Sequence, residues 1–487
     1  MSNSNKRDPS VIIIGAGMTG ILLSIKLREA GISNITILEK KDRIGGTWRE
    51  NTYPGVACDV PAHMYTYSFE HNPEWSDYYA KGSEIQQYFE HVSAKYQVTE
   101  RVRFNEAVTD ASYSGGRWTV KTSKGETLEA DFVISATGIL HHKSLPDIPG
   151  LDDFKGTMFH TSEWNHDVEL ADKRIGVIGT GSTAAQFIPE LVKTGGEVNI
   201  FMRTPQWVIG LGRKSYSEAD KQDMRRNPKI IRRIRRQAEF GMEHIFTKAV
   251  TGHKLQSALL SWACKRNLRK SIKDPALRKK LTPDYTVGCK RVIINDTYYD
   301  AIQKPNAHLL TDGIERIVEN GIIDKNGKLH ELDVLVLSTG FKPFNFMRPM
   351  NLSGKNDLHI DDAWQDKIRS YRSLFLPGYP NFFLMLGPYT PIGNFSVIAM
   401  SEVQTDYVIK MIDHWREKKF NEVEVKDEAV DRFTAYVKEG MKKTTWVGGC
   451  QSWYQDGDGD PVLWPYTWGQ WCKEMAEPDL EDFSLQD

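Results

Sequence analysis

Two glycine-rich turns constrain this chain more than any other feature: Gly15-Ala-Gly17-Met-Thr19-Gly20 and Gly179-Thr180-Gly181-Ser182-Thr183-Ala184. Each follows a short run of continuously apolar residues, 11–14 and 175–178, as a parallel strand buried on both faces requires. Each opens a helical pattern, the first with apolar positions at Ile21, Leu22, Ile25 and Leu27, the second across residues 185–192. A further apolar strand, 35–38 or 198–201, closes each unit. Strand, glycine turn, helix and strand make a βαβ unit, so the chain is expected to be α/β with two Rossmann-like dinucleotide-binding domains.

Such turns work because glycine lets the backbone approach a pyrophosphate, which rests on the N–H groups and positive end of the following helix. An isolated turn can equally be a tight bend with no nucleotide, so the surrounding residues decide. Glu39 ends the second strand of the first unit, where a carboxylate accepts hydrogen bonds from ribose hydroxyls. Arg203, followed by Thr204, stands at the same offset from Gly179 as Glu39 does from Gly15; an acid there would repel a 2′-phosphate and an arginine binds it. The second unit is therefore read as taking NADPH over NADH. Candidate contacts are Gly15, Gly17, Thr19, Gly20 and Glu39 in the first unit, and Gly179, Thr180, Gly181, Ser182, Thr183, Arg203 and Thr204 in the second. Two shorter strings, Ile134-Ser-Ala-Thr137-Gly138 and Leu337-Ser-Thr-Gly340, each follow an apolar strand. They read either as simple strand-ending turns or as the paired Thr-Gly crossings of a two-dinucleotide flavoprotein.

At 487 residues the chain is long enough for two or three cores of about 150 residues each. Its 63 Lys and Arg nearly balance 64 Asp and Glu, so the chain as a whole has no net field to gather nucleic acid or anionic membrane. Residues 210–286 differ in composition: glycines thin out and basic clusters appear, Arg232-Arg-Ile-Arg-Arg236 and Lys265-Arg-Asn-Leu-Arg-Lys270. A helical insertion is expected, and its charge fits either a solvated face or an acidic partner. A second apolar helix pattern covers 397–412, and a Trp- and Gly-rich tail runs from Trp446 to Trp471. The five cysteines lie far apart with no CxxC pair, so neither a disulfide framework nor a metal site is expected. Residues 1–10 are polar, 11–14 are too short for a signal-peptide core, and no apolar run nears the roughly 20 residues of a membrane span. A cytoplasmic protein with no stable membrane anchor is expected.

Two longer patterns specify a reaction. Phe154-Lys-Gly156-Thr-Met-Phe-His160-Thr161-Ser-Glu-Trp164 reads FxGxxxHTxxW, and Gly45-Gly46-Thr47-Trp48-Arg-Glu-Asn-Thr-Tyr53-Pro54-Gly55-Val-Ala-Cys-Asp59 reads GGxWxxxxYPGxxxD. The chain resembles the type I Baeyer-Villiger monooxygenases, from its first strand to its tail and most weakly in the insertion. The resemblance implies FAD and NADPH as cofactors, O2 as co-substrate and a ketone oxidised to an ester or lactone. A reduced flavin in that family carries oxygen at C4a as a peroxide that attacks the carbonyl. It further implies an FAD-binding domain from 1–141 and 342–487, and an NADPH-binding domain from 142–209 and 287–341, with 210–286 inserted.

Residue by residue, the resemblance adds Gly46, Thr47, Trp48, Thr137 and Gly138 to the cofactor contacts. Arg291, in Gly288-Cys-Lys290-Arg291, matches the active-site arginine that would stabilise anions beside the flavin, and Asp59 would orient it. From the residues alone, Arg291 could be an interdomain ion pair and Asp59 a turn acid. Lys290 is either a further contact to the 2′-phosphate or a solvated lysine. In the tail, Gln451-Ser-Trp453-Tyr454 resembles the family's mobile cofactor-covering loop, and Trp453 is either its aromatic lid or ordinary packing.

His160 lies on the connection into the NADPH unit and is read as a linker that positions the domains rather than as an acid or base. Asn165 and Lys342 depart from the family's usual residues, which leaves the subfamily open. A heteroatom-oxidising flavin monooxygenase is the competing reading, although it would normally have tyrosine where Trp164 stands. The substrate pocket is expected between the insertion, residues 388–396 and the tail; the particular ketone and the oligomeric state stay open.

Overall fold

The computed structural model describes residues 7–212, 214–450, 452–456 and 458–486; Gln451 of the tail segment lies outside the described residues. The apolar runs become the central strands of two five-stranded, all-parallel sheets. In the first, Val11–Ile14 lies between Ile35–Leu38 and Phe132–Ser135, with Val11 opposite both Ile35 and Phe132. Phe382–Leu384 and Val102–Arg103 form its edges. In the second, Arg174–Ile178 lies between Glu197–Phe201 and Val334–Leu337, with Ala307–Leu310 and Thr157–His160 at the edges. A strand paired on both sides and covered on both faces tolerates only apolar residues, and all four residues of Val11–Ile14 are buried.

Helix Met18–Glu29 follows the first turn and packs against helix Val397–Arg416. Helix Ser182–Lys193 follows the second and begins three residues before its apolar pattern does. The periodicity marks only the buried face, whereas the backbone becomes helical as soon as Gly181 has taken the extended N-cap position.

Residues 210–286 are largely helical. Helix Glu218–Arg226 starts at Ser217, whose hydroxyl accepts the Asp220 N–H while the Asp220 carboxylate returns to Ser217. Helix Lys229–Gly241 buries Ile231 and Ala238 in the core beneath the first sheet, and helix Lys254–Ser271 buries Cys264 and Leu268 in the core of the second. The insertion therefore spans both cores. A two-stranded parallel ribbon, Val208–Ile209 with Ile293–Ile294, ties its ends together.

One feature corrects the sequence reading and a second sharpens it. Cys289 and Cys450, 161 residues apart, form a disulfide with Cα atoms 6.1 Å apart. Local spacing is blind to such a pair, because folding alone brings the Arg291 segment against the tail. The other three cysteines are free, and no metal-binding cluster is found among the described residues. Secondly, the balanced total charge conceals strong segregation: residues 210–286 carry 20 Lys and Arg against 7 Asp and Glu, leaving 43 against 57 for the rest. Among the described residues no helix is long and apolar enough to cross a membrane.

Candidate active site

Both glycine turns open into one cavity of about 1240 Å3, more than a single drug-sized ligand needs. At its two ends the backbone geometry repeats. Gly15 has φ +104°, and a Cβ there would lie 2.7 Å from the Ala136 carbonyl oxygen; Gly179 has φ +106°, and a Cβ there would lie 2.3 Å from that of Ser338. Only glycine allows these approaches. They also explain the paired Thr-Gly strings: each ends the strand beside a glycine turn, and Thr137, Gly138, Thr339 and Gly340 all line the cavity.

The charged residues at equal offsets are held differently. Glu39 is buried, and its carboxylate accepts the backbone N–H of Ala16 at 2.8 Å and of Lys41 at 2.9 Å, which fixes it at the cavity wall with acceptor capacity remaining. Arg203 is exposed in the cavity with no ion pair among the described residues. Lys290 stands close enough that burial and the Arg203 charge both lower its pKa, and its ammonium sits 5.0 Å from the Tyr285 ring centre. Asp284 only partly offsets the pair, so two adjacent cations form a site that a phosphate would neutralise.

Between the two ends, Arg291 grips Asp59. The guanidinium Nε donates to one carboxylate oxygen at 2.8 Å and a terminal nitrogen donates to the other. Burial opposes the charge on Arg291, but the Asp59 carboxylate outweighs it and holds the guanidinium pKa above its ordinary value. The Tyr454 hydroxyl is buried nearby; burial raises its pKa and the Arg291 charge opposes the rise. Trp453 lines the cavity with its ring 4.5 Å from that of Tyr454.

The loop bearing Asp59 is anchored to the second unit. Gln186, on helix Ser182–Lys193, accepts from the Tyr53 hydroxyl at 2.8 Å and donates to the Ala57 carbonyl at 2.9 Å. A Cβ on Gly55 would lie 2.6 Å from the Gln186 carbonyl oxygen, which accounts for glycine in the Tyr-Pro-Gly string. The sequence patterns give Tyr454 only as a neighbour of Trp453 and give no sign of Gln186. Gln186 sits one helical turn beyond Ser182 on the cavity side, a spacing that could have flagged it.

Residues 12–252 match the family model "Pyridine nucleotide-disulphide oxidoreductase". An uncharacterized monooxygenase of Mycobacterium tuberculosis is 41% identical, with 99% of this chain and 97% of the relative covered. A Baeyer-Villiger monooxygenase of Streptomyces coelicolor is 36% identical, with 98% and 92% covered. The chain belongs to the Baeyer-Villiger monooxygenases. A cyclohexanone monooxygenase crystallised with ε-caprolactone in its loose conformation has the same fold, with a TM-score of 0.85, 26% identity and 98% and 99% of the two chains covered.

An FAD- and NADPH-dependent monooxygenase needs room for two dinucleotides, and this site fits them: two glycine cradles that a Cβ would fill, an acid at one and two cations at the other. Gly17, Thr19, Gly46, Thr47, Trp48, Gly181, Ser182 and Thr183 line the cavity as well. Gly20, Thr180 and Thr204 do not. A Cβ on Gly20 would come 2.0 Å from the Gly15 carbonyl oxygen, so that residue closes the turn against its helix. Thr180 donates its hydroxyl to the Thr204 carbonyl at 3.2 Å, bracing the second turn from behind. The Cys289–Cys450 disulfide does not line the cavity, unlike the cysteine pair through which a disulfide reductase draws electrons from its flavin.

The monooxygenase signature lies outside the cavity. His160 ends the edge strand beside Val334–Leu337; its Nδ1 accepts the Ser162 N–H at 3.2 Å, so Nε2 carries the proton and donates to the Gly340 carbonyl at 3.1 Å. Burial lowers its pKa. Gly156 lets the strand pass the Asp333 carbonyl, Phe154 fills a small core and Thr161 is buried. Trp164 packs on Phe159 and on Phe187 of the helix that carries Gln186. Among the described residues the insertion contributes none to the cavity wall, contrary to expectation, because its inner faces are spent on the two cores; Ile392, Phe395, Val397 and Trp453 supply apolar wall instead.

Proposed function

We propose that this monooxygenase oxidises ketones to esters or lactones with NADPH and O2, with Arg291 and Asp59 as the groups that act beside the flavin. The observation that carries this reading is the bidentate Arg291–Asp59 pair in the cavity between the two glycine cradles. FAD held here and reduced by NADPH would activate O2, one oxygen atom going to the product and the other leaving as water. Negative charge develops on oxygen as a carbonyl is attacked, and a guanidinium fixed in a partly dry site stabilises it without reorganising at that moment. Asp59 keeps that guanidinium aimed, and the Gln186 anchor keeps Asp59 in register with the NADPH unit.

Glu39 is assigned to an FAD ribose, Arg203 and Lys290 to the NADPH 2′-phosphate, and Trp453 to covering the nicotinamide. His160 is assigned to holding the interdomain connection. Residues 1–141 and 342–487 are taken as the FAD-binding domain, with the NADPH-binding domain from 142–209 and 287–341. The enzyme is placed in the cytoplasm, where NADPH is plentiful. The test is aerobic incubation of FAD-loaded protein with NADPH and a panel of ketones and sulfides. Esters or lactones are expected; sulfoxides alone would make it a heteroatom oxygenase, and hydrogen peroxide alone with every candidate would refute ketone oxidation.

A further inference from the structure

Among the described residues, six of the twelve large apolar side chains left exposed lie within 210–286, the same segment that holds 20 Lys and Arg against 7 Asp and Glu. Helix Lys254–Ser271 joins both properties on one face. Leu255, Leu259 and Trp262 are 68%, 51% and 62% exposed at positions i, i+4 and i+7, and Arg266, Arg269 and Lys270 continue the exposed side. The opposite face, through Cys264 and Leu268, is committed to the core. Helix Lys229–Gly241 behaves likewise: Ile231 and Ala238 face inward, whereas Arg232, Arg233 and Arg236 line a shallow groove with Phe240, itself 61% exposed. None of these six exposed cations has a carboxylate partner among the described residues, and Arg266 lies 5.5 Å from the Trp262 ring centre.

We propose that this outer face of the insertion docks the enzyme reversibly on an anionic lipid surface. A solvated face explains the charge but not Leu255, Leu259 and Trp262 standing in water beside it. A nucleic acid would use the cations and leave the aliphatic side chains without a partner. At an anionic bilayer both are satisfied: cations meet headgroup phosphates while leucine and tryptophan side chains enter the headgroup–acyl boundary. Lying on the membrane needs no spanning helix, and the fold is consistent with that, because the docking residues sit on a rigid helix whose other side is already packed. The contact leaves the active-site cavity wall untouched, since among the described residues none of the insertion lines it. A monooxygenase held at lipid can draw on ketones dissolved there; that consequence rests on the ketone-oxidising reading, whereas the docking does not.

The test uses FAD-loaded full-length enzyme and sedimentation with vesicles of mixed phosphatidylserine and phosphatidylcholine, against phosphatidylcholine alone. Binding to the mixed vesicles is expected to be at least about 100-fold tighter and to weaken as salt rises. Leu255→Ser/Leu259→Ser/Trp262→Ser and Arg266→Glu/Arg269→Glu/Lys270→Glu should each lose about tenfold or more, with FAD content and NADPH oxidation in solution unchanged. No association with the mixed vesicles would overturn the proposal. So would an apolar variant that binds them as wild type does, which would reduce the face to a polyanion site shared with nucleic acid or acidic protein.

Discussion

The two nucleotide units of this monooxygenase are the same structure built twice and charged in opposite senses. Both set a central parallel strand between two others, turn at a glycine with φ of +104° or +106°, and press that glycine against the end of the neighbouring strand. They diverge at the charged position that follows the second strand. Glu39 is buried and committed to two backbone N–H groups, so its charge is part of the fold as well as of the site. Arg203 is exposed, unpaired among the described residues and beside a second cation, so its charge is available only to a ligand. A fold-embedded acid suits a cofactor that stays bound, and a waiting cation suits one that comes and goes.

The sharpest way to break this comparison is at the glycines. Gly179→Ala should abolish NADPH-driven flavin reduction while FAD stays bound, because the added Cβ would lie 2.3 Å from a backbone oxygen in the second unit alone. Gly15→Ala should instead give protein without FAD, measured by flavin absorbance after purification. If both variants lost both cofactors, the units could not be treated separately.

Arg203→Ala comes next: losing a charged hydrogen bond of about 1.5–3 kcal/mol should lower kcat/KM for NADPH about tenfold to 100-fold and barely alter that for NADH. Equal losses with both coenzymes would remove Arg203 from the 2′-phosphate site.

The remaining effects fall on stability rather than on turnover. The disulfide closes a loop of about 160 residues, worth up to roughly 5 kcal/mol in a chain-entropy account, so Cys450→Ser should lower the melting temperature by a few degrees. An unchanged melting temperature would mean the bridge does not form in solution. Burial pushes His63 and His141 down to about 4, below the ordinary histidine value near 6.5. The unfolded chain therefore takes up protons that the folded one refuses, and stability should fall as pH drops from about 6.5 towards 4. Thermal melts across that range check it, and a flat profile would contradict it.

Features with a local physical cause were legible in the sequence. Continuous apolar runs must be buried strands, glycine turns must follow them, and the offset to Glu39 and Arg203 is fixed by the length of a βαβ unit. The pattern ending at Asp59 brought that residue forward, and the resemblance of the short segment Gly288-Cys-Lys290-Arg291 brought Arg291. What stayed hidden depends on chain segments meeting across large separations. Gln186 matters because it reaches Tyr53 and Ala57 in the other unit, and Cys289 meets Cys450 only after the tail has folded back. The insertion misled in the other direction: a helical block beside two cofactor domains suggested a pocket wall, but its buried faces serve the cores and its outer face serves neither.

The central claim is that Arg291, aimed by Asp59, drives oxygen transfer at the seam between the two units. Its most direct test is the yield of ester or lactone labelled from isotopically heavy O2, wild type against Arg291→Ala, at equal FAD content. One labelled oxygen per product is expected in wild type, with the variant about 10²- to 10³-fold slower. Labelled product formed by the variant at the wild-type rate would contradict the account.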